Sequence, residues 1–253
     1  MESTSASEES LSPPDETWPG ELRRNPPRTS ATWLVRAAIA GWLQSEADRL
    51  KAAGSGVRIL DVGCGVKPYY PYFASIATEY IGLDVVPSPA TDVVGSVEDI
   101  PLEAGRFDLV LCTQVLEHCD DPGRAVAELN RVTAPGGRVL ASTHGVQVYH
   151  PSPHDYWRWT HEGLHRLFSL NAEWEALEVR PAGGTAACLG MLLGTFVEIG
   201  CRRAHAPRLA RAPVWMLNQG GHALDRRVSV LREPVPGALF ANLHVRAIAA
   251  AKE

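Results

Sequence analysis

The stretch Val57-Arg58-Ile59-Leu60-Asp61-Val62-Gly63-Cys64-Gly65 decides the fold of this 253-residue chain. It reads as a buried apolar strand running into a glycine turn, with an acid as the strand's last residue. Glycine carries no Cβ, so the backbone can turn tightly there and come close to a ligand. Nucleotide-like ligands bind at the carboxyl ends of strands in open α/β sheets. An acid at that mouth suits a ligand that presents hydroxyls or an ammonium group.

Outward from this turn, strand and helix patterns alternate. Strands are expected at Val57–Asp61, Tyr80–Asp84, Asp92–Val94, Phe107–Cys112, Arg138–Thr143, Trp174–Arg180 and Ala238–Ala249. Helices are expected near Tyr70–Ala77, Gly123–Thr133 and His161–Leu170, and Pro135-Gly136-Gly137 marks a turn before the fifth strand. The alternation predicts an α/β fold: a doubly wound, seven-stranded, mostly parallel sheet. A helix from Ala31 to about Ala53 precedes it, with Ser30 as N-cap and Gly54 as stop. Residues 1–28, rich in Ser, Glu and Pro, read as a disordered tail, leaving 29–253 as one domain. The rhythm breaks at 181–232, which holds Gly183-Gly184, an apolar helix near Ala186–Cys201, the cluster Arg202, Arg203, Arg208 and Arg211, and Trp215. It is expected to be a helical insertion or lid before the last strand.

Composition narrows the function. A hydrophobic content of 45% supports one sizeable core, and a net charge of -5 argues against a general nucleic-acid binder. The five cysteines form no CxxC pair, so neither a zinc site nor a disulfide framework is expected, and a reducing cytoplasm fits. Met1 to Gly20 lacks the basic start and apolar centre of a signal peptide. The apolar run 186–201 is short for a membrane span, which needs about 20 residues. No stable membrane insertion is therefore expected; a buried helix or a homodimer interface explains the run better.

Four motifs fall in order at the carboxyl ends of the first four predicted strands: Asp61, Gly63 and Gly65; Asp84; Ser96-Val97-Glu98-Asp99-Ile100-Pro101; and Thr113-Gln114-Val115-Leu116-Glu117-His118. They converge on one sheet edge. A carboxylate at Asp84 can accept hydrogen bonds from two vicinal hydroxyls and so read a ribose. A dinucleotide fits less well, because the third glycine of G-x-G-x-x-G would fall at Pro68.

The set VRILDVGCGVKPYY, EYIGLDVV, GSVEDIP, GRFDLVLCTQVLEHCDDP and AELNRVTAPGGRVL resembles the class I S-adenosylmethionine-dependent methyltransferases of the small-molecule branch. The resemblance covers about residues 55–170 and implies a Rossmann-like sheet with an antiparallel last strand and S-adenosyl-L-methionine as cofactor. By it, the turn Asp61, Gly63, Cys64 and Gly65 holds the methionyl part, and Asp84, followed by Val85, takes the ribose. Val97 and Glu98 flank the adenine. Thr113, Gln114 and His118 line the cavity near the sulfonium. The family commonly has Asp where this chain has Ser96, so the adenine amino contact stays open among Ser96, Glu98 and Asp99. Cys64 and Cys112 can equally be small core residues, and Glu117 a local cap or ion-pair partner.

The acceptor side is expected after the fifth strand, in His144–Thr160. This text resembles an H-x-x-P-x-D-Y-x-R-x-T segment of one methyltransferase subgroup. A hydroxyl nucleophile must lose its proton, and histidine suits that task near neutrality. His144 and His118 are the first candidates, then His150 and His154. Asp155 and Arg158 read as a structural ion pair and Thr160 as a helix cap. A metal set of His150, His154 and Asp155 is disfavoured, because His-x3-His needs a helix and prolines interrupt this one. The expected activity is methyl transfer to O or N of a small molecule, a secondary metabolite or sugar. The alternatives are a non-methylating cyclisation or rearrangement on the same cofactor and a non-catalytic binding protein. A nucleic-acid methyltransferase is disfavoured by the acidic chain and by the absence of an Asn-Pro-Pro-Tyr-like motif after strand four.

Overall fold

The computed structural model describes residues 18–54, 56–151 and 154–251. Most of the expected tail, 1–17, and Ser152-Pro153 of the acceptor loop lie outside the described residues.

Seven strands form one sheet: β1 (Val57–Val62), β2 (Ala77–Asp84), β3 (Val93–Val94), β4 (Phe107–Thr113), β5 (Thr133–His144), β6 (Trp174–Pro181) and β7 (Asn242–Ala249). Their order is β3-β2-β1-β4-β5-β7-β6. The first five run parallel, and β7 inserts antiparallel between β5 and β6. This is the expected doubly wound sheet with an antiparallel last strand. Chain order reverses between β1 and β4, and the crevice above that switch point is where such sheets bind ligands.

The central strands are apolar over most of their length because both faces are covered, with Arg58 and Asp108 pairing at the exposed start of β1 and β4. Ile59, Leu109, Leu111 and Leu140 point to one side, against Leu43, Phe73 and Met191. Their sequence neighbours Leu60, Val110, Val139 and Ala141 point to the other, against Leu129 and Phe168. The helices that supply these covers are α1 (Glu21–Arg24), α2 (Trp33–Ala53), α3 (Tyr70–Phe73), α4 (Pro122–Val132), α5 (His161–Asn171), α6 (Thr185–Arg203) and α7 (Arg211–Arg227). Asp121 caps α4 by accepting from Gly123 N–H and Arg124 N–H, with Pro122 in the first turn. Thr160 caps α5 through Gly163 N–H at 3.0 Å, as its sequence position suggests.

Several boundaries differ from the sequence reading. Residues 18–28, expected within the tail, pack against the domain. Trp18 Nε1–H donates to Lys67 O at 2.9 Å, and the Arg24 guanidinium donates to Pro68 O at 2.6 Å and Trp18 O at 2.7 Å. These bonds strap residues 18–24 over the loop after the glycine turn. Helix α2 starts at Trp33 after Thr32, and Ser30 makes no cap: it contributes its carbonyl to Trp33 N–H and its hydroxyl to Thr32. Strand β3 has two residues, α3 ends at Phe73, and β7 starts at Asn242 rather than Ala238.

The insertion is an α6–α7 hairpin. Asp225, 3% exposed, caps α6 from α7, its carboxylate accepting from the N–H groups of Gly184, Ala186 and Ala187 at 2.9, 3.1 and 3.1 Å. A Cβ at Gly190 or Gly221 would stand 2.9 or 2.8 Å from a carbonyl oxygen of the facing helix, so small residues set the close crossing. Asn218 of α7 donates to Arg28 O and Ser30 O, and Glu198 of α6 accepts from Ala31 N–H, which ties the hairpin to the start of α2.

Candidate active site

A cavity of about 510 Å³ opens above the carboxyl ends of β1, β2, β4 and β5. That lies within the ~300–1,000 Å³ usual for small-molecule sites. Gly63 and Gly65 form its floor with φ of 65° and 52°, a left-handed backbone that glycine adopts without cost. Gly63 packs close: a Cβ there would meet Val115 Cγ2 at 2.3 Å, while at Gly65 it would meet nothing within 4 Å. The turn is stitched to β2 by Gly63 N–H and Cys64 N–H, both donating to Leu83 O.

Asp84 sits at the rim. Its Oδ2 accepts from Gly65 N–H at 2.9 Å and its Oδ1 from Val86 N–H at 3.0 Å. Each oxygen keeps a lone pair, so the carboxylate fixes the turn and still faces the cavity. Val85, Ser96, Val97 and Glu98 continue this wall. Ser96 Oγ accepts from Glu98 N–H, and Glu98 Oε1 accepts from Asp120 N–H at 2.8 Å, which holds the segment in place. Thr113 and Gln114 lie at the centre; Gln114 adopts φ 59°, and its amide donates to Ser142 Oγ at 3.2 Å. A bulky left-handed residue is rare and clusters at ligand sites.

Two cofactor candidates stand elsewhere. Asp61 does not line the cavity. It is 2% exposed beneath the turn and accepts from Tyr80 Oη–H at 2.8 Å, and burial raises its carboxyl to about 6. Cys64 also does not line the cavity; it is 1% exposed with its thiol toward Ala90 O, the small core residue that its type suggests.

Of the histidines, His118, His144 and His150 reach the cavity. His154 does not: its ring stacks on Tyr156 at 5.3 Å, and its carbonyl meets His118 Nδ1. The Asp155–Arg158 pair staples the loop. Arg158 Nη1–H and Nη2–H donate to the carboxylate at 2.5 and 2.7 Å, Asp155 accepts from His150 N–H, and Arg158 also donates to Val148 O. The Arg158 hydrogen bonds hold the Asp155 carboxyl well below its ordinary range. With Asp155 so engaged and His154 turned to Tyr156, the set His150, His154 and Asp155 does not converge on a point.

Glu117, read from sequence as a local cap or pair, is fully buried. Its Oε2 accepts from Thr143 Oγ1–H at 2.8 Å, and its Oε1 lies 3.4 Å from His144 Nε2. Its carbonyl accepts from Tyr156 N–H and Trp157 N–H, so the acceptor loop seals it in. Burial raises the Glu117 carboxyl to about 7 and lowers the His144 imidazole to about 4. His144 Nδ1 has no partner.

The far wall comes from residues outside the sequence motifs: Arg23, Val35, Arg36, Ile39 and Tyr69, with Thr195 and Glu198 from the segment expected as a lid. Arg23 and Arg36 bring two guanidiniums to the cavity wall. Burial, and then Arg23, lowers Arg36 from its ordinary value. The available signal was an arginine set between Val35 and Ile39 in an otherwise apolar run.

A family profile described as "Methyltransferase domain" matches residues 60–141, which span β1 to β5 and every motif on the floor. A ubiquinone biosynthesis O-methyltransferase from Xanthomonas oryzae pv. oryzae is 34% identical over 104 residues, 35% of this chain and 44% of that protein. A chloroplastic tocopherol O-methyltransferase from Arabidopsis thaliana is 36% identical over 103 residues, 34% of this chain and 30% of that protein. The chain thus spans less than half the length of these relatives. Among solved structures, the [4+2]-cyclase SpnF superposes with a TM-score of 0.51 at 18% identity, covering 84% of this chain and 82% of that one, a likeness of fold. The matched profile, with the ordered motifs and the strand order, identifies residues 60–141 as a methyltransferase domain of the class I S-adenosylmethionine-dependent type.

Proposed function

We propose that this protein transfers a methyl group from S-adenosyl-L-methionine to an oxygen of a small molecule, a secondary metabolite or sugar. The observation that carries this reading is the Glu117–His144 pair, which opens on the same cavity as the glycine turn and Asp84.

The residues present suit the cofactor. Gly65 leaves the space of a side chain open at the turn, and Asp84 offers lone pairs to vicinal hydroxyls. Val97 and Glu98 would flank an adenine. Arg23 and Arg36 would neutralise a methionyl carboxylate. When bound, the cofactor supplies an activated methyl carbon and its own leaving group. The protein must then orient an acceptor, exclude water and remove a proton. His144 reaches the cavity with its Nε2 3.4 Å from Glu117 Oε1 and its buried Nδ1 without a hydrogen-bond partner, and it is the group assigned to take that proton from a hydroxyl. Burial lowers the His144 imidazole to about 4, so it is neutral throughout the physiological range. Val35, Ile39 and Val148 shield the space above from solvent. The relatives named for O-methylation favour oxygen as the acceptor atom.

The test is incubation with methyl-labelled S-adenosylmethionine and a panel of phenols, sugars and hydroxy acids, read by mass spectrometry. Label in an ether or ester product is expected, falling about 100-fold or more in His144→Ala. His118→Ala should lose less. A rearranged product without label would replace methyl transfer by cyclisation. Equal turnover of both variants with the wild type would remove histidine as the base. A cytoplasmic location, independence from nucleic acid and a homodimer remain proposals of the same reading.

A further inference from the structure

The α6–α7 hairpin carries a surface that the cavity does not use. On α6, Leu189, Leu193 and Phe196 are 45%, 56% and 66% exposed. Their spacing of four and three residues puts them on one face. Arg203, seven residues beyond Phe196, continues that face. Leu209, 71% exposed, stands at the turn between Arg208 and Arg211, and Trp215 and Met216 of α7 are 47% and 59% exposed. Exposed large apolar side chains gathered with cations on one helical hairpin mark a contact surface rather than ordinary scatter.

Charge tells what it contacts. Residues 181–232 hold seven arginines against two acids, in a chain whose net charge is -5. One of those acids, Asp225, is buried as the α6 cap, and the other, Glu198, already accepts from Ala31 N–H. Among the described residues, Arg203, Arg208 and Arg211 enter no ion pair. A second copy of the chain would lay this patch on itself by two-fold symmetry and set arginines against arginines. An anionic lipid surface accepts both components: apolar side chains enter the acyl boundary and guanidiniums meet the headgroups. Helix α6 lies on such a surface rather than crossing it, because its opposite face, with Cys188 and Met191, is fully buried in the protein.

We infer that the α6–α7 hairpin docks this protein on an anionic membrane surface. Thr195 and Glu198 of the same helix line the cavity, so docking brings the acceptor entrance beside the bilayer. On the methyl-transfer reading, this favours an amphipathic acceptor drawn from the lipid; the docking itself does not depend on that reading.

The experiment is co-sedimentation of the full chain with phosphatidylcholine vesicles, with and without phosphatidylglycerol. It compares wild type, Leu193→Glu/Phe196→Glu and Arg203→Glu/Arg208→Glu. Calorimetric binding of S-adenosylhomocysteine to each variant reports separately on the fold and on the cofactor reading. The wild type is expected to bind the anionic vesicles, less at high salt, and either double variant to bind about tenfold less or weaker still. Failure of the wild type to bind, equal binding by the variants, or equal binding to pure phosphatidylcholine would overturn the inference. So would light scattering that shows a dimer dissolved by Phe196→Glu, which would seat a second copy on the patch.

Discussion

Glu117 Oε1 and His144 Nε2 face each other at 3.4 Å, joining the turn after β4 to the end of β5, both side chains buried in the cavity wall. Burial drives both groups toward neutrality. The carboxyl rises to about 7 and the imidazole falls to about 4. Near neutral pH the pair therefore carries at most one charge, and that charge rests on Glu117.

This arrangement opposes stability and function at one residue. A folded-state pKa raised from 4.5 to about 7 means that Glu117 contributes stability below pH 4.5, lost as pH rises through about 7. Glu117→Gln should therefore gain up to ~3 kcal/mol over the wild type above pH ~8 and nothing at low pH. Its turnover should fall about 10- to 100-fold, because His144 loses its orienting charge. Denaturation midpoints across pH, beside turnover, check this; a variant no more stable than the wild type at alkaline pH would refute the buried-acid account.

Arg23 and Arg36 should matter to only one end of the cofactor. Arg36→Ala is expected to weaken S-adenosylhomocysteine about tenfold while leaving methylthioadenosine, which lacks the methionyl carboxylate, unchanged. Equal losses for both ligands would show that Arg36 shapes the cavity instead.

The two glycines of the turn should separate. Gly63→Ala places a Cβ 2.3 Å from Val115 Cγ2 at φ 65°, so it should lose both stability and cofactor binding. Gly65→Ala meets open space and carries only the left-handed strain of about 1–2 kcal/mol. Similar melting temperatures for the two variants would contradict the packing described for Gly63.

How much of this was legible in the chain follows from where the forces arise. β1 was legible because a strand covered on both faces must be largely apolar, and the turn because only glycine adopts its φ cheaply. Asp84, Ser96–Glu98 and Thr113–Gln114 were legible because parallel topology carries strand ends to one edge. Asp61 was expected at the ligand because of its acid type; its burial was not legible, because it comes with a hydrogen bond from Tyr80 on the neighbouring strand. Glu117 was read as a local partner because its contacts lie far along the chain, Thr143 and His144 at its carboxyl and Tyr156 and Trp157 at its carbonyl. The strap at 18–24 was hidden in a polar tail, since its hold consists of hydrogen bonds to Lys67 and Pro68 carbonyls, which leave no apolar pattern.

The central claim is that this sheet edge binds S-adenosylmethionine through Asp84. The most direct measurement is calorimetric titration of S-adenosylhomocysteine into the wild type and Asp84→Ala. Saturable one-to-one binding that weakens by about 100-fold in the variant is predicted, the worth of two hydrogen bonds to a carboxylate. Absence of binding to the folded wild type, or equal affinity in Asp84→Ala, would contradict it.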